Sequence, residues 1–378
     1  MKKYPFLDLA EVNAPYMNEM VAAAERVIRS GRYIGGAEVE AFEEEMSQLT
    51  GAPYIIGVSN GLDALRLILK AYIELGRLKE GDEVIVPANT YIASFLAISD
   101  AGLEPVPVDI DPATLNLDSS QIEGLITPRT KAIMTVHLYG RIALNEKLLN
   151  IVRNHNLLLI EDSAQAIGAR SALKGLNGKY SAGALGHAAA FSFYPTKNTG
   201  ALGDAGAVAT HDEELAATVR ALANYGAERR YHNLYKGYNC RLDPIQAAML
   251  RVKLPYTNKE NADRFERALV YEREIKRDDV VKPLIPKDVN SCIWHQYVLR
   301  VKNNNRDRLQ AYLDECGVGT DIHYAIPPHL QPCYSNLRHG SLPETEKMAN
   351  EILSLPIATG TTVSDAAQIA KIINNAPF

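Results

Sequence analysis

Lys197 is the residue whose surroundings point to covalent chemistry. It closes the run Phe191-Ser192-Phe193-Tyr194-Pro195-Thr196-Lys197-Asn198 and precedes the glycine-rich segment Gly200–Gly206. A primary amine attacks carbonyl carbon once it has lost its proton. A lone lysine ahead of a glycine loop is ordinarily solvated, so its company decides the matter. Thirty-five residues earlier, Glu161-Asp162-Ser163-Ala164-Gln165-Ala166 sets two carboxylates at the carboxyl end of an apolar strand, where α/β proteins hold their ligands. Earlier still, Ser59-Asn60-Gly61-Leu62-Asp63-Ala64-Leu65 is a polar turn that opens a helix, and the free N–H groups of a helix N-terminus bind phosphate. Taken singly, the turn reads as a strand-to-helix joint and the acids as a helix cap with a surface charge. Taken together, a lysine for a Schiff base, an acid for a pyridinium nitrogen, and a helix terminus with a hydroxyl for phosphate are what pyridoxal 5′-phosphate (PLP) requires.

Such groups must be carried by a sheet. From residue 54 to about 210, short β-branched runs alternate with amphipathic stretches, the rhythm of parallel strands joined by crossover helices. The candidate strands are Tyr54–Val58, Glu83–Val86, Glu104–Val108, Ala132–Val136, Leu157–Ile160, Ala188–Phe193 and Ala207–Thr210, with helices over Leu62–Leu75, Ile92–Ala101 and Leu144–Asn154. Near-continuous apolar strands predict a sheet covered on both faces. Helices over Tyr16–Ser30 and Glu38–Leu49 precede this block, and one over Glu213–Asn224 follows it. The tyrosine-rich stretch Tyr225–Asp243 shows no periodicity, and so long a structureless stretch is usually functional. Asp243-Pro244 then starts a long helix that Pro255 should kink or interrupt. Strand and helix units over Gln296–Val301, Arg306–Cys316, Pro343–Leu353 and Asp365–Ile373 suffice for a small α+β domain. The expected division is a large domain over 1–250 and a linking helix with a small C-terminal domain over 251–378.

Composition narrows the class. The chain has 378 residues, 47% hydrophobic and 22% charged, which excludes disordered, collagen-like and mucin-like architectures. Forty Lys+Arg against forty-five Asp+Glu are scattered along the chain with a net charge of -5, so no nucleic-acid partner is expected. No apolar run is long enough for a membrane helix, and the opening MKKYPFLDLA reaches Asp8 too soon for a signal peptide. The four cysteines (Cys240, Cys292, Cys316, Cys333) form no CxxC pair. A reduced cytoplasmic location without structural zinc or disulfides is expected.

The chain resembles the fold-type I PLP aminotransferases of the DegT/StrS family, which act on nucleotide-linked keto-sugars. The resemblance runs in ordered blocks through Pro5–Leu9, Ser59–Leu65, Asn89–Tyr91, Val136–Gly140, Glu161–Ala166, Ser192–Lys197 and Gly237–Asp243. It implies an α/β large domain with a mostly parallel seven-stranded sheet flanked by helices, and a smaller α+β domain. It also implies roles: Lys197 as the cofactor-bonding lysine and proton carrier, Asp162 beside the ring nitrogen, and Gln165 on the phenolic oxygen. Tyr91 would stack on the ring, while Gly61, Leu62 and Ser192 would hold the phosphate. Asn239 would reach that phosphate from the neighbouring subunit, implying a homodimer with two shared sites. Ile167, His187 and Ala205 depart from the common pattern without removing any of these contacts.

Substrate clues lie in Ile322-His323-Tyr324-Ala325-Ile326-Pro327-Pro328-His329-Leu330-Gln331. Two histidines separated by Pro-Pro, with no third ligand, do not read as a metal site. The segment is similar instead to the branch of the family that makes dTDP-3-amino-3,6-dideoxyhexoses, as are Tyr139-Gly140-Arg141 and Gly61-Leu62-Asp63. The resemblance therefore implies transfer of an amino group from glutamate to a dTDP-linked 3-keto-6-deoxyhexose. Tyr194, His323, Tyr324, His329 and Arg241 are the candidate substrate contacts. The alternatives are amination at C4 and a non-catalytic regulatory protein on the same fold.

Overall fold

The computed structural model describes residues 3–378; Met1 and Lys2 of the opening segment lie outside them. All seven expected strands form one sheet: β1 Tyr54–Val58, β2 Glu83–Pro87, β3 Glu104–Val108, β4 Thr130–Val136, β5 Leu158–Asp162, β6 Ala188–Ser192 and β7 Gly206–Thr210. Their order is β1-β7-β6-β5-β4-β2-β3. Only β7 runs against its neighbours, so the sheet is mostly parallel, as expected. Strand alternation sends Ile160 into a core under the helix Gly61–Glu74, with Leu65 and Ile68, and sends Leu159 to the opposite face with Leu148 and Leu149. Both faces are therefore covered, which is why the strands carry so few polar residues.

Register fixes which residues meet at the strand ends. Val58, the last residue of β1, pairs with Gly206, and Gly206 pairs with Ser192, the last residue of β6. Val136 pairs with Asp162, and Asp162 with Ala190. The ends of β1, β6, β5 and β4 thus share one edge of the sheet with the start of β7.

The tyrosine-rich stretch is not structureless. It holds a short hairpin, β8 Ala227–Arg229 with β9 His232–Asn233. Strands this short leave no alternation to read. The excursion is pinched at its base, where a Cβ on Gly226 would lie 1.8 Å from the Tyr235 carbonyl oxygen and one on Gly237 would lie 2.0 Å from the Gly226 nitrogen. Only glycine permits this backbone contact.

Pro255 interrupts the long helix as expected: Pro244–Lys253 and Thr257–Glu274 are separated by a 3-10 turn over Leu254–Tyr256. A second core follows. β10 Val280–Val281, β11 Tyr297–Val301 and β12 Ile352–Leu355 form an antiparallel sheet. It packs with Tyr271, Trp294, Leu309, Leu313 and Ile369, and with Tyr4, whose N–H bonds to the Gly317 carbonyl at 2.9 Å. The unit expected over Pro343–Leu353 is two elements, a helix ending at Glu351 and then β12. Pairing of Ile352–Leu355 with Tyr297–Arg300 outweighs the local continuation of the helix. Among the described residues no helix is long and apolar enough to cross a membrane, and no cluster of three or more ligating side chains could hold a metal.

Candidate active site

A cavity of about 540 Å³ opens where the strand ends meet. Its first wall is the start of the helix Gly61–Glu74. Asn60 caps this helix, its Oδ1 accepting from Asp63 N at 2.8 Å, while the N–H groups of Gly61 and Leu62 have no acceptor within the helix. A Cβ on Gly61 would sit 2.7 Å from Ser192 Cβ, and one on Gly206 would sit 2.4 Å from the Asn60 carbonyl. Both glycines are therefore demanded by close approach, which brings two free N–H groups beside the Ser192 hydroxyl. The Asp63 carboxylate is occupied by Ser59, Asn60 and Arg66, so its charge is neutralised locally. The result is a cradle of donors suited to an anion.

The two carboxylates ending β5 have separate fates, because adjacent strand residues face opposite sides. Glu161 is consumed in the interior. It accepts from the N–H groups of Gly183, Leu185 and Gly186 at 2.8–3.0 Å, and from His137 Nε2 at 3.0 Å. Asp162 faces the cavity. Its Oδ2 accepts from Ser94 Oγ at 2.8 Å, Ser94 in turn accepts from Thr90 at 2.9 Å, and its Oδ1 accepts from Ala164 N at 3.2 Å. Burial pushes the Asp162 carboxyl above its ordinary range, opposed by these hydrogen bonds and by the charge of Lys197. A buried carboxylate held this way needs a cation or a protonated ring to face it.

Lys197 lines the same cavity. Burial lowers its amine from 10.5 to about 8, with Asp162 pulling the other way. An amine so desolvated is readily the neutral nucleophile near neutral pH.

Gln165 closes the floor. Its Oε1 accepts from Tyr139 N at 2.6 Å, which directs Nε2 toward the Tyr324 hydroxyl at 3.0 Å. Tyr91 lies against Tyr324 with ring centroids 5.3 Å apart, and it and Tyr194 keep over half of their surface exposed at the mouth. His323 also lines the cavity, but its nitrogens face the second core: Nδ1 bonds Ser354 Oγ at 2.9 Å and Nε2 lies 3.6 Å from Asp321. Its ring stacks on Phe6 at 5.7 Å.

Ten of the thirteen expected residues thus converge: Gly61, Leu62, Tyr91, Asp162, Gln165, Ser192, Tyr194, Lys197, His323 and Tyr324. Asn239, Arg241 and His329 do not line the cavity. Asn239 is exposed at the foot of the pinched excursion, and Arg241 bonds Asn224 at 2.9 Å. His329 is a correction to the substrate expectation. It is buried elsewhere, edge-on to His339 with centroids 4.9 Å apart and 3.5 Å from Glu346, because the Pro-Pro turn directs it inward. Thr90, Ser94, His295 and Gln296 were not singled out by the sequence. Ser94 and His295 make their defining contacts with distant positions, Asp162 and Asn198, and the four-residue spacing of Thr90 and Ser94 was the only available signal.

The pattern of the DegT/DnrJ/EryC1/StrS aminotransferase family matches residues 16–374. The chain belongs to that family. This aminotransferase is 48% identical over 370 residues to a dTDP-3-amino-3,6-dideoxy-alpha-D-galactopyranose transaminase from Aneurinibacillus thermoaerophilus, covering 98% of each chain. Its fold matches the crystal structure of S. venezuelae DesV in complex with a ketimine intermediate, at TM-score 0.91 and 40% identity, over 99% of this chain and 98% of that one. It also matches NtdA from Bacillus subtilis with bound cofactor PMP, at TM-score 0.88 and 29% identity, over 99% and 86% of the two chains. The aminotransferase is thus similar throughout its length to a transaminase named for a dTDP-linked amino sugar.

Proposed function

We propose that this aminotransferase uses PLP to move an amino group from glutamate to C3 of a dTDP-linked 3-keto-6-deoxyhexose. The observation that carries the reading is the meeting of Lys197, Asp162 and the Gly61–Leu62–Ser192 cradle in one cavity. The fit to PLP rests on the chemistry of these donors: an anion cradle that a Cβ on Gly61 would fill, a buried carboxylate, and a desolvated amine. When bound, PLP supplies an electron sink for the bond that breaks beside the transferred nitrogen.

The chain's own residues divide the remaining work. Gly61 N–H, Leu62 N–H and the Ser192 hydroxyl would bind the phosphate, Asp162 would hold the proton on the ring nitrogen, and Gln165 Nε2 would donate to the phenolic oxygen. Tyr91 would cover the ring face. Lys197 Nζ would hold the cofactor at its aldehyde carbon and, as a free amine, would move the proton at the carbon bearing the transferred nitrogen. Tyr194, Tyr324 and the ring of His323 face the sugar nucleotide. In this reading residues 1–250 form the cofactor-binding domain and 251–378 the smaller one, in a cytoplasmic homodimer. The exposed position of Asn239 below the excursion suits a contact with the partner's phosphate site.

The choice of C3 and of dTDP is supported by the 48% identical relative, whose name specifies both. Purified protein loaded with PLP should show the visible absorption of a lysine-bound cofactor, and glutamate should bleach it. Lys197→Ala that retained full turnover would overturn the reading.

A further inference from the structure

The sequence drew attention to His323, but the structure holds a second histidine at the cavity, His295, with a different hydrogen-bonding state. Two backbone carbonyls define that state. Ile167 O accepts from Asn261 Nδ2 at 3.0 Å, and Ile293 O accepts from Asn198 Nδ2 at 3.3 Å. A carbonyl can only accept, so the nitrogen of each amide must face it. Asn198 Nδ2 donates as well to Asn261 Oδ1 at 2.8 Å. The remaining polar atom, Asn198 Oδ1, is therefore an acceptor, and His295 Nδ1, 3.0 Å away, must carry the hydrogen. Nε2 of the neutral ring is then bare, with the Gln296 amide nitrogen at 3.5 Å. Burial, with Lys197 and Arg264 as surrounding cations, keeps the ring neutral.

The backbone is built around this orientation. Trp294 takes φ +51, a left-handed conformation that bulky residues rarely adopt. It turns the indole into the second core against Tyr297, at 5.4 Å between centroids, while its neighbour His295 reaches the cavity. Arg264 Nη1 holds the segment from behind, donating to the carbonyls of Trp294 and His295 at 3.3 and 3.4 Å. Asn198 follows Lys197 directly in the chain. The next two residues are tied to the same region, Thr199 to the Thr257 hydroxyl at 2.8 Å and Gly200 O to Lys253 Nζ at 2.8 Å.

We propose that His295 is a positioning residue for Lys197: through Asn198, its neutral Nδ1–H imidazole sets where the lysine amine stands and leaves Nε2 as an acceptor on the cavity wall. This deepens the proposed function and rests on Lys197 as the amine that bonds PLP.

The test uses the full chain, stripped of cofactor. Borohydride trapping followed by peptide mass spectrometry gives the rate at which Lys197 captures PLP, and the Kd of pyridoxamine 5′-phosphate reports on the cradle without the lysine bond. His295→Phe should slow capture about tenfold or more, because misplaced reacting groups lose orientation. The pyridoxamine phosphate Kd should stay within about twofold, since the phosphate contacts are untouched. His295→Gln, whose amide offers both a donor and an acceptor, should restore capture. Side-chain ¹⁵N spectra of histidine-labelled protein, assigned with His295→Gln, should show His295 protonated at Nδ1 alone. Unchanged capture in His295→Phe overturns the proposal, as does a parallel loss of pyridoxamine phosphate affinity. Failure of glutamine to restore capture, or a protonated Nε2, also overturns it. If the unmutated protein never traps PLP on Lys197, the reading of Lys197 itself falls, and the proposal with it.

Discussion

Replacing Lys197 with methionine should make the cofactor-free protein more stable at pH 7, although it abolishes catalysis. Burial lowers the amine from 10.5 to about 8, so the folded state disfavours the charged form that dominates at neutral pH. A displacement of that size corresponds to about 3 kcal/mol at most, at 1.36 kcal/mol per unit. Lys197 is only half-buried, with its side chain facing the open cavity, so water recovers part of this and about 1–3 kcal/mol is the expected gain. For 378 residues this is about 1–4 °C in Tm. The sign with pH follows from proton counts. Between pH 8 and 10.5 the unfolded lysine still holds a proton that the folded one has lost, so stability of the unmutated protein rises with pH across that window. The methionine variant lacks this term, and its advantage should shrink as pH rises toward 10. Paired thermal unfolding of the two cofactor-free proteins at pH 7 and pH 9.5 checks both points. A variant no more stable at pH 7, or an advantage independent of pH, would refute desolvation of the amine.

Gly61→Ala should weaken pyridoxamine phosphate binding about tenfold or more, because a methyl group 2.7 Å from Ser192 Cβ forces the helix terminus off the cradle; overpacking of this kind costs about 1–3 kcal/mol. Direct titration measures it, and unchanged affinity would remove Gly61 from the cradle. Mixing the inactive variants Lys197→Ala and Asn239→Ala should restore part of the activity, since hybrid dimers would contain one site free of both mutations. No recovery despite demonstrated subunit exchange would place Asn239 outside the partner's site.

The sheet was legible because its strands are buried on both faces and read as apolar runs, and the cavity because ligands gather at parallel strand ends. Lys197 and Asp162 stood out for that reason. What strand position could not decide was which of Glu161 and Asp162 faces the ligand; the backbone N–H groups of Gly183, Leu185 and Gly186, distant in sequence, settle it by occupying Glu161. His323 was legible as part of a motif, yet its nitrogens are directed by Ser354 and Asp321. His295 sits in Ile293-Trp294-His295-Gln296, which reads as ordinary packing. Its state depends on Asn198, ninety-seven residues away, and on Asn261 beyond it. β12 was hidden because a strand of four residues directly follows a helix and is defined only by its partner, β11.

The position of amination tests the proposed function most directly. PLP-loaded protein incubated with ¹⁵N-glutamate and, separately, the 3-keto and 4-keto isomers of a dTDP-6-deoxyhexose should place ¹⁵N on C3 of the first and turn the second over about a hundredfold less efficiently in kcat/KM, since the wrong isomer leaves polar groups of the site unpaired. NMR of the purified product locates the label. Label on C4, or faster turnover of the 4-keto compound, would contradict the assignment to C3.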